Sequence, residues 1–249
     1  MQKNICLKVE YLGTNYYGFQ LQDKVGKREI TVQEVIEKAI RKLFKQKIRI
    51  AYASRTDRGV HASGQVVNFK VDTNIPLKNI KNALNTFLPD DVSVKKVKIV
   101  QPDFHSRFCA KSKIYRYSIL NKNEPTVFLS GFSWHIEKPL DISKMLHISK
   151  KLKGAKDFSL FAKEAGTYKT CIRDLKNISI KKSKDFLCVH IEASGFLRNM
   201  ARNIVSFLVK VGSGELNLKE AGQILNKKKA YHNCPAPSRG LCLIKVKYA

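Results

Sequence analysis

Acidic residues are scarce in this 249-residue chain: 20 Asp and Glu stand against 47 Lys and Arg, leaving a formal charge of +27 and an isoelectric point near 9.9. Long apolar runs are missing as well, and none approaches the roughly 18 residues of a membrane-spanning helix. The opening MQKNICLKVEYLG lacks the basic region, apolar stretch and cleavage site of a secretory signal. A cytoplasmic protein with no membrane association is expected. Six cysteines (Cys6, Cys109, Cys171, Cys188, Cys234 and Cys242) include no C-x-x-C pair, which speaks against a zinc cage and against a disulfide framework. Cys188 and His190 could share a strand face, but two ligands without a second pair are far more often core residues. With no phosphate loop, dinucleotide fingerprint or zinc motif, neither a metal nor a cofactor is expected.

What the chain has in excess is lysine, 36 residues beside 11 arginines. A lysine-rich genome inflates such a count, but it would not leave acids this scarce. KKVK at 95–98, SKKLKGAK at 149–156, KKSK at 181–184 and KKK at 227–229 recur along the whole chain. This distribution favours a polyanionic partner, nucleic acid above a membrane surface, because no segment joins a basic face to a strong exposed apolar one. An apolar content of 43% is ordinary for a globular protein, and the length suits one large domain or two smaller ones.

Periodicity supplies the architecture. Ile5, Leu7 and Val9 alternate as a strand over 4–11. TVQEVIEKAIRKLFK begins with Thr31 and has Glu34 three residues later, a capping box, and Val32, Val35, Ile36, Ala39, Ile40, Leu43 and Phe44 keep helical spacing. Strands are expected from 48 and from 65, a helix over 77–88, and a strand ending at 100. That order, βαββαβ, is ferredoxin-like. The second half repeats it more loosely: a strand from 113, a helix from 141, a strand pair in LKNISIKK and FLCVHIEA, helices from 198 and 217, and a closing strand LCLIKVKY. The chain therefore reads as α+β, with two related halves, 1–105 and 106–249, and no low-complexity linker between them.

Between two strand-like runs lies SRTDRGVHASGQ, residues 54–65, which sets Asp57 between Arg55 and Arg58 on a short connection. Gly59 and Gly64 allow positive φ or close approach of another chain segment. Spacing alone is equally consistent with a polar turn in which Asp57 bonds local amides. The stretch resembles the catalytic loop of the TruA family of tRNA pseudouridine synthases, whose pattern is close to R-T-D-x-G-V-H-A. Further pieces match in the family's order: YLGTNYYGFQLQ (11–22), FHSRFCAKSKIYRY (104–117), GAKDFSLF (154–161), GFLRNMARNIV (195–205) and APSRGLCL (236–243).

The resemblance implies the pseudouridine synthase fold, two ferredoxin-like halves with antiparallel sheets flanking a central active-site cleft. It implies isomerisation of uridine to pseudouridine at positions 38, 39 and 40 in the anticodon arm of tRNA, by a homodimer. Such a reaction breaks the N1–C1′ bond, turns the uracil and rejoins it through C5, so nothing is added or removed. By resemblance Asp57 is the catalytic carboxylate, as nucleophile or as the base that lets a glycal form. Arg202 is the cation that keeps it ionised against desolvation; pattern alone favours a solvated helix face for Arg202. Arg55 fills the space left by the flipped uridine, and Tyr115 stacks on the uracil, although periodicity alone equally allows a core tyrosine beside Tyr117 and Ile119. Arg58, where bacterial members commonly carry a small residue, is expected to meet phosphate or solvent.

Three rivals differ in class. Paired RNA-recognition motifs share the topology and charge, but no stretch fits their aromatic strand signature, and GQVVNFKV is only a weak echo. A glycosidase usually pairs two carboxylates, and this loop offers one. A catalytically retired relative is disfavoured by the intact Arg55, Asp57, Tyr115 and Arg202. Pseudouridine formation in another RNA remains an alternative.

Overall fold

The computed structural model describes residues 2–22 and 29–248. Its elements, in chain order, are β1 (Gln2–Tyr11), α1 (Val32–Phe44), β2 (Ala51–Tyr52), β3 (His61–Asp72), α2 (Leu77–Phe87), β4 (Val92–Val100), β5 (Ser112–Asn121), β6 (Trp134–Ile136), α3 (Ile142–Lys151), β7 (Gly154–Asp157), β8 (Ile172–Ser183), β9 (Phe186–Ala193), α4 (Met200–Gly212), α5 (Leu218–Leu225) and β10 (Leu241–Lys247). Two compact units emerge: Met1–Lys111 with Cys242–Ala249, and Ser112–Leu241. The chain was expected to divide into 1–105 and 106–249. A linear division has no means of returning the closing strand to the first unit.

The first unit has the expected βαββαβ order. β1 lies between β3 and β4, antiparallel to both, with Ile5 opposite Phe69 and Leu7 opposite Val67. Ile5, Leu7 and Val9 are fully buried, so period-2 alternation places one face of the strand in the core. α1 follows from its sequence. The Thr31 hydroxyl accepts from the Glu34 N–H at 3.3 Å, and Val32, Ile36, Ala39 and Ile40 form the buried stripe. Only the N-cap half of the expected box forms there, because the Glu34 carboxylate pairs with Lys38. The complete box occurs at α5, between Asn217 and Glu220.

β10 joins the free end of β3 in the parallel sense, Cys242 opposite His61 and Leu243 opposite Ala62. Gly64 makes this possible: a Cβ there would stand 2.1 Å from the Ile244 carbonyl oxygen.

In the second unit the strand order is β5-β9-β8-β7, antiparallel throughout, with β6 added to β5 in parallel. The short strands β6 and β7 were not expected from the sequence. α4 is apolar on nearly every side and correspondingly buried from Met200 to Gly212, as a helix packed on all faces must be. It starts at Met200 rather than 198, because Asn199 takes a left-handed φ of 62° that interrupts helical geometry. No helix among the described residues is long and apolar enough to cross a membrane.

Gly64→Ala should cost about 2–4 kcal/mol, since backbone rather than a flexible side chain would have to move. Urea unfolding followed by circular dichroism measures it; a loss under about 0.5 kcal/mol would contradict the close β3–β10 approach.

Candidate active site

The Asp57 connection is shaped by a buried side-chain amide. β2 pairs with β3 for only two residues, Ala51 with Asn68 and Tyr52 with Val67, and the Ala53 N–H still reaches the Val66 carbonyl. Then Gln65, with no exposed surface, takes the place of a strand partner. Its Oε1 accepts from the Ser54 N–H at 3.2 Å and its Nε2 donates to the Ser54 carbonyl at 2.7 Å. The side chain is longer than the ladder spacing, so the backbone is diverted out of the sheet at Ser54 and residues 55–60 become a loop.

A second segment, residues 11–19, straps that loop in place. The Phe19 N–H donates to the Thr56 carbonyl at 3.0 Å, and the Gly59 N–H donates to the Tyr16 carbonyl at 3.4 Å. The Tyr11 hydroxyl and Thr56 Oγ1 lie 2.8 Å apart. Asp57 is thus held by backbone contacts one residue before it and two residues after it. Gly18 has a φ of +94°, and a Cβ there would stand 2.8 Å from the Thr56 carbonyl oxygen, so only glycine lets the strap come this close. Gly59 likewise turns with a positive φ of 76°.

The strap has its own anchors. The Leu12 N–H donates to the Asp91 carbonyl, and the Tyr16 hydroxyl donates to the Asp91 carboxylate. Burial, reinforced by that hydrogen bond and charge, pushes the Tyr16 phenol above its ordinary range. The Gly13 N–H donates to His61 Nδ1 at 3.0 Å, which ties the strap to the first residue of β3.

The side chains on the loop differ in setting. Asp57 is half-buried, whereas Arg55 and Arg58 are exposed. The Arg58 guanidinium sits 4.1 Å from the centre of the Tyr17 ring, a cation–π contact that links loop and strap. The sequence carried no signal for this pairing, because forty-one positions separate the two residues. Gln65 was also missed, although a glutamine inside the apolar alternation of GQVVNF was a visible irregularity.

Tyr115 and Arg202 belong to the second unit. Tyr115 shares a face of β5 with Tyr117 and Ile119, all buried, and meets Phe196 edge-on at 4.9 Å. Phe196 lies on the turn that leads into α4, and Asn199, at the end of that turn, places its Oδ1 3.4 Å from Arg202 Nη1. Arg202 Nε donates to the Ala236 carbonyl at 2.7 Å, while the Ala236 N–H returns to the Arg202 carbonyl. The guanidinium is therefore fixed in plane by segment 236–237. The same segment takes the Tyr117 hydroxyl at the Pro237 carbonyl, 2.8 Å. Burial raises the Tyr117 phenol, against an opposing pull from the Arg202 and Arg239 charges. Arg198, outside the helix, pairs with Glu164 at 2.8 Å on the surface.

Comparison with known proteins agrees with these motifs. The family described as tRNA pseudouridine synthase matches residues 8–109 and 148–249. A tRNA pseudouridine synthase A of Thermoanaerobacter sp. (strain X514) is 42% identical over 247 residues, covering 99% of this chain and 100% of the relative. The Clostridium perfringens (strain 13 / Type A) protein called tRNA pseudouridine synthase A 2 is 41% identical over 249 residues, with 99% and 100% covered. The tRNA pseudouridine synthase A of Acetivibrio thermocellus is 39% identical over 247 residues, again with 99% and 100% covered.

Gln65→Leu should destabilise the protein by about 2–4 kcal/mol, because it leaves the Ser54 N–H and carbonyl unpaired in the interior; chemical denaturation measures this, and an unchanged midpoint would contradict the diverting role. A second expectation concerns alkaline pH. Tyr16, Tyr117, Tyr231 and Tyr248 all have phenols raised above the ordinary value of 10.0, Tyr231 to about 12. The folded state then holds protons that the unfolded state releases, so this stabilisation is complete below pH 10 and is lost as pH rises through the folded values. Absorbance at the tyrosinate band should show a late-ionising group of tyrosines, merging with the early group once the protein is unfolded.

Proposed function

The chain belongs to the tRNA pseudouridine synthase family, and on that premise we propose that it isomerises uridine to pseudouridine at positions 38–40 in the anticodon arm of tRNA, with Asp57 as the catalytic carboxylate. The observation that carries this assignment is the construction around Asp57: a buried amide diverts the strand, and a glycine-containing strap clamps the loop on either side of a half-buried carboxylate. A polar turn would not need two independent restraints.

The chemistry follows from the groups available. In this reading Asp57 acts at the sugar while the N1–C1′ bond breaks, either as nucleophile at C1′, released when C5 attacks that carbon, or as the base that takes the C2′ proton to form a glycal and returns it as C1′ bonds to C5. The freed uracil turns and rejoins C1′ through C5, and the hydrogen on C5 leaves as a proton while N1 gains one. Atoms balance without oxidant, nucleotide or Lewis acid. In this reading the Asp57 carboxylate works beside a cationic partner that can pair with it. Arg202 is the cation assigned to it, and its attachments to Ala236 and Asn199 hold the guanidinium in one orientation, so that little entropy is left to lose on pairing.

Arg55, exposed on the loop, takes the space vacated by the flipped uridine, whose extrusion costs a few kcal/mol. Tyr115, seated against Phe196, offers an aromatic face to the uracil and a hydroxyl near its polar edge. Arg58 is assigned to substrate binding through phosphate contact from its seat on Tyr17. In this reading the N-terminal half, 1–105, carries the Asp57 loop, and the C-terminal half, 106–249, carries the stacking tyrosine and its arginine helix. Two copies share one tRNA in the cytoplasm, and a net charge of +27 supports phosphate-dominated binding.

The test uses tRNA transcripts carrying tritium at uracil C5, with no metal or nucleotide added. Wild type should release tritium from the anticodon arm. Asp57→Asn should lose about 10²–10⁴-fold or more of that rate while binding tRNA as tightly. Arg202→Lys, which keeps the charge but not the fork, should lose about 10–100-fold. Release of free uracil instead of pseudouridine would assign a hydrolase, and tight binding without release from any transcript would assign an RNA-binding protein. The logarithm of affinity should fall linearly with the logarithm of salt concentration, with a slope of about −0.7 to −0.9 per phosphate contacted; a flat profile would overturn the electrostatic part. Light scattering of the protein with and without tRNA checks the dimer.

A further inference from the structure

Residues 104–109 present an aromatic to solvent from an unusually firm base. Phe108 is 75% exposed, yet its ring packs at a tilt against His105, with ring centres 4.4 Å apart, and the Arg107 guanidinium lies 5.6 Å from its centre. His105 Nδ1 accepts from the Arg107 N–H at 3.1 Å, and the Cys109 N–H donates to the His105 carbonyl at 3.0 Å. Single exposed apolar residues are common and need no explanation. What sets this one apart is what lies beneath it.

The segment is pinned to the sheet of the first unit by two buried asparagines. Asn68 Nδ2 donates to Asn4 Oδ1 at 3.0 Å and to the Phe104 carbonyl at 3.1 Å. Asn4 Nδ2 donates to the carbonyls of Gln101 and Phe104, and Asn68 Oδ1 accepts from the Ser106 N–H at 2.8 Å. From β10 and its flank, Tyr248 closes the base, its hydroxyl on the Ser106 carbonyl at 2.8 Å and its ring 5.1 Å from Phe104. Buried amides satisfied this completely fix the backbone that carries Phe108.

The sheet face that receives the segment is basic. Strand alternation sets Asn4, Cys6 and Lys8 on one face of β1, and their cross-strand neighbours there include Lys70, Lys98 and Lys96. Lys8, Lys70, Lys96 and Lys98 are all exposed. A rigid ring with cations beside it, on a face bearing four lysines, has the composition that single-stranded nucleic acid uses: base stacking on an aromatic, with phosphates on cations.

We propose that His105, Arg107 and Phe108 form a stacking platform for an unpaired base of the RNA substrate, separate from the Asp57 loop. The proposal rests on the RNA-modifying reading given above. It adds a substrate-holding surface to which neither Asp57 nor Arg202 contributes.

The experiment compares wild type with Phe108→Ala, Phe108→Leu and Phe108→Tyr, measuring affinity for transcribed tRNA at three salt concentrations and tritium release at saturating tRNA. Alanine and leucine should weaken binding about tenfold, tyrosine less than about twofold, because stacking needs a π face rather than apolar volume. The salt slope should stay at the wild-type value, since no charge is removed, and the saturated rate should be unchanged. Wild-type affinity in the alanine variant, an alanine loss that leucine restores, or a change in oligomeric mass would each overturn the platform. If wild type modifies tRNA and the alanine variant binds equally well, only the platform falls. If wild type neither binds nor modifies tRNA, the reading beneath it falls too.

Discussion

The first unit depends on one substitution of bonding partners: the side-chain amide of Gln65 does what a neighbouring strand would otherwise do for Ser54. A backbone pair satisfied by a side chain no longer has to follow the ladder, so the chain can leave the sheet without stranding polar groups in the interior. Everything distinctive about the Asp57 loop follows from that departure. The strap of residues 11–19 then closes over the diverted segment, and the Tyr16–Asp91 contact ties the strap to the turn before β4. Loop, strap and turn come from three distant stretches, and none could set the carboxylate's position by itself.

The second unit applies the same logic through backbone carbonyls. Ala236 and Pro237 offer adjacent carbonyl groups, one to Arg202 and one to Tyr117. An arginine from a helix and a tyrosine from a strand are thereby referred to a single short segment of extended chain. Displacing that segment would move both at once, which couples the orientation of the guanidinium to the seating of Tyr117.

Much of the fold was legible because burial imposes simple periods. α1 showed itself through seven apolar positions at helical spacing, and β1 through Ile5, Leu7 and Val9. The features that escaped have a common cause. β6 and β7 are three and four residues long, too short for any period to develop. The start of α4 was displaced by the left-handed Asn199, a conformation that Asn adopts more readily than most residues but that its identity alone does not dictate. Among the candidate residues, Arg55, Asp57 and Arg58 were singled out as a charge pattern, and Tyr115 and Arg202 by family likeness. Gln65, the Tyr17 partner of Arg58 and the Ala236 carbonyl act through contacts distant in sequence, and the last of these is backbone, which has no letter in the sequence.

The parallel pairing of β10 with β3 has a consequence for biosynthesis. His61 and Ala62 border the Asp57 loop, yet the strand that flanks them, at Cys242 and Leu243, emerges from the ribosome about 180 residues later. During translation β3 can pair with β1 and β2, but this part of its edge stays open, and non-local pairings of this kind are slow to form. The sheet edge that borders the loop therefore closes late. A nascent chain already rich in lysine can meet RNA well before it is able to act on it.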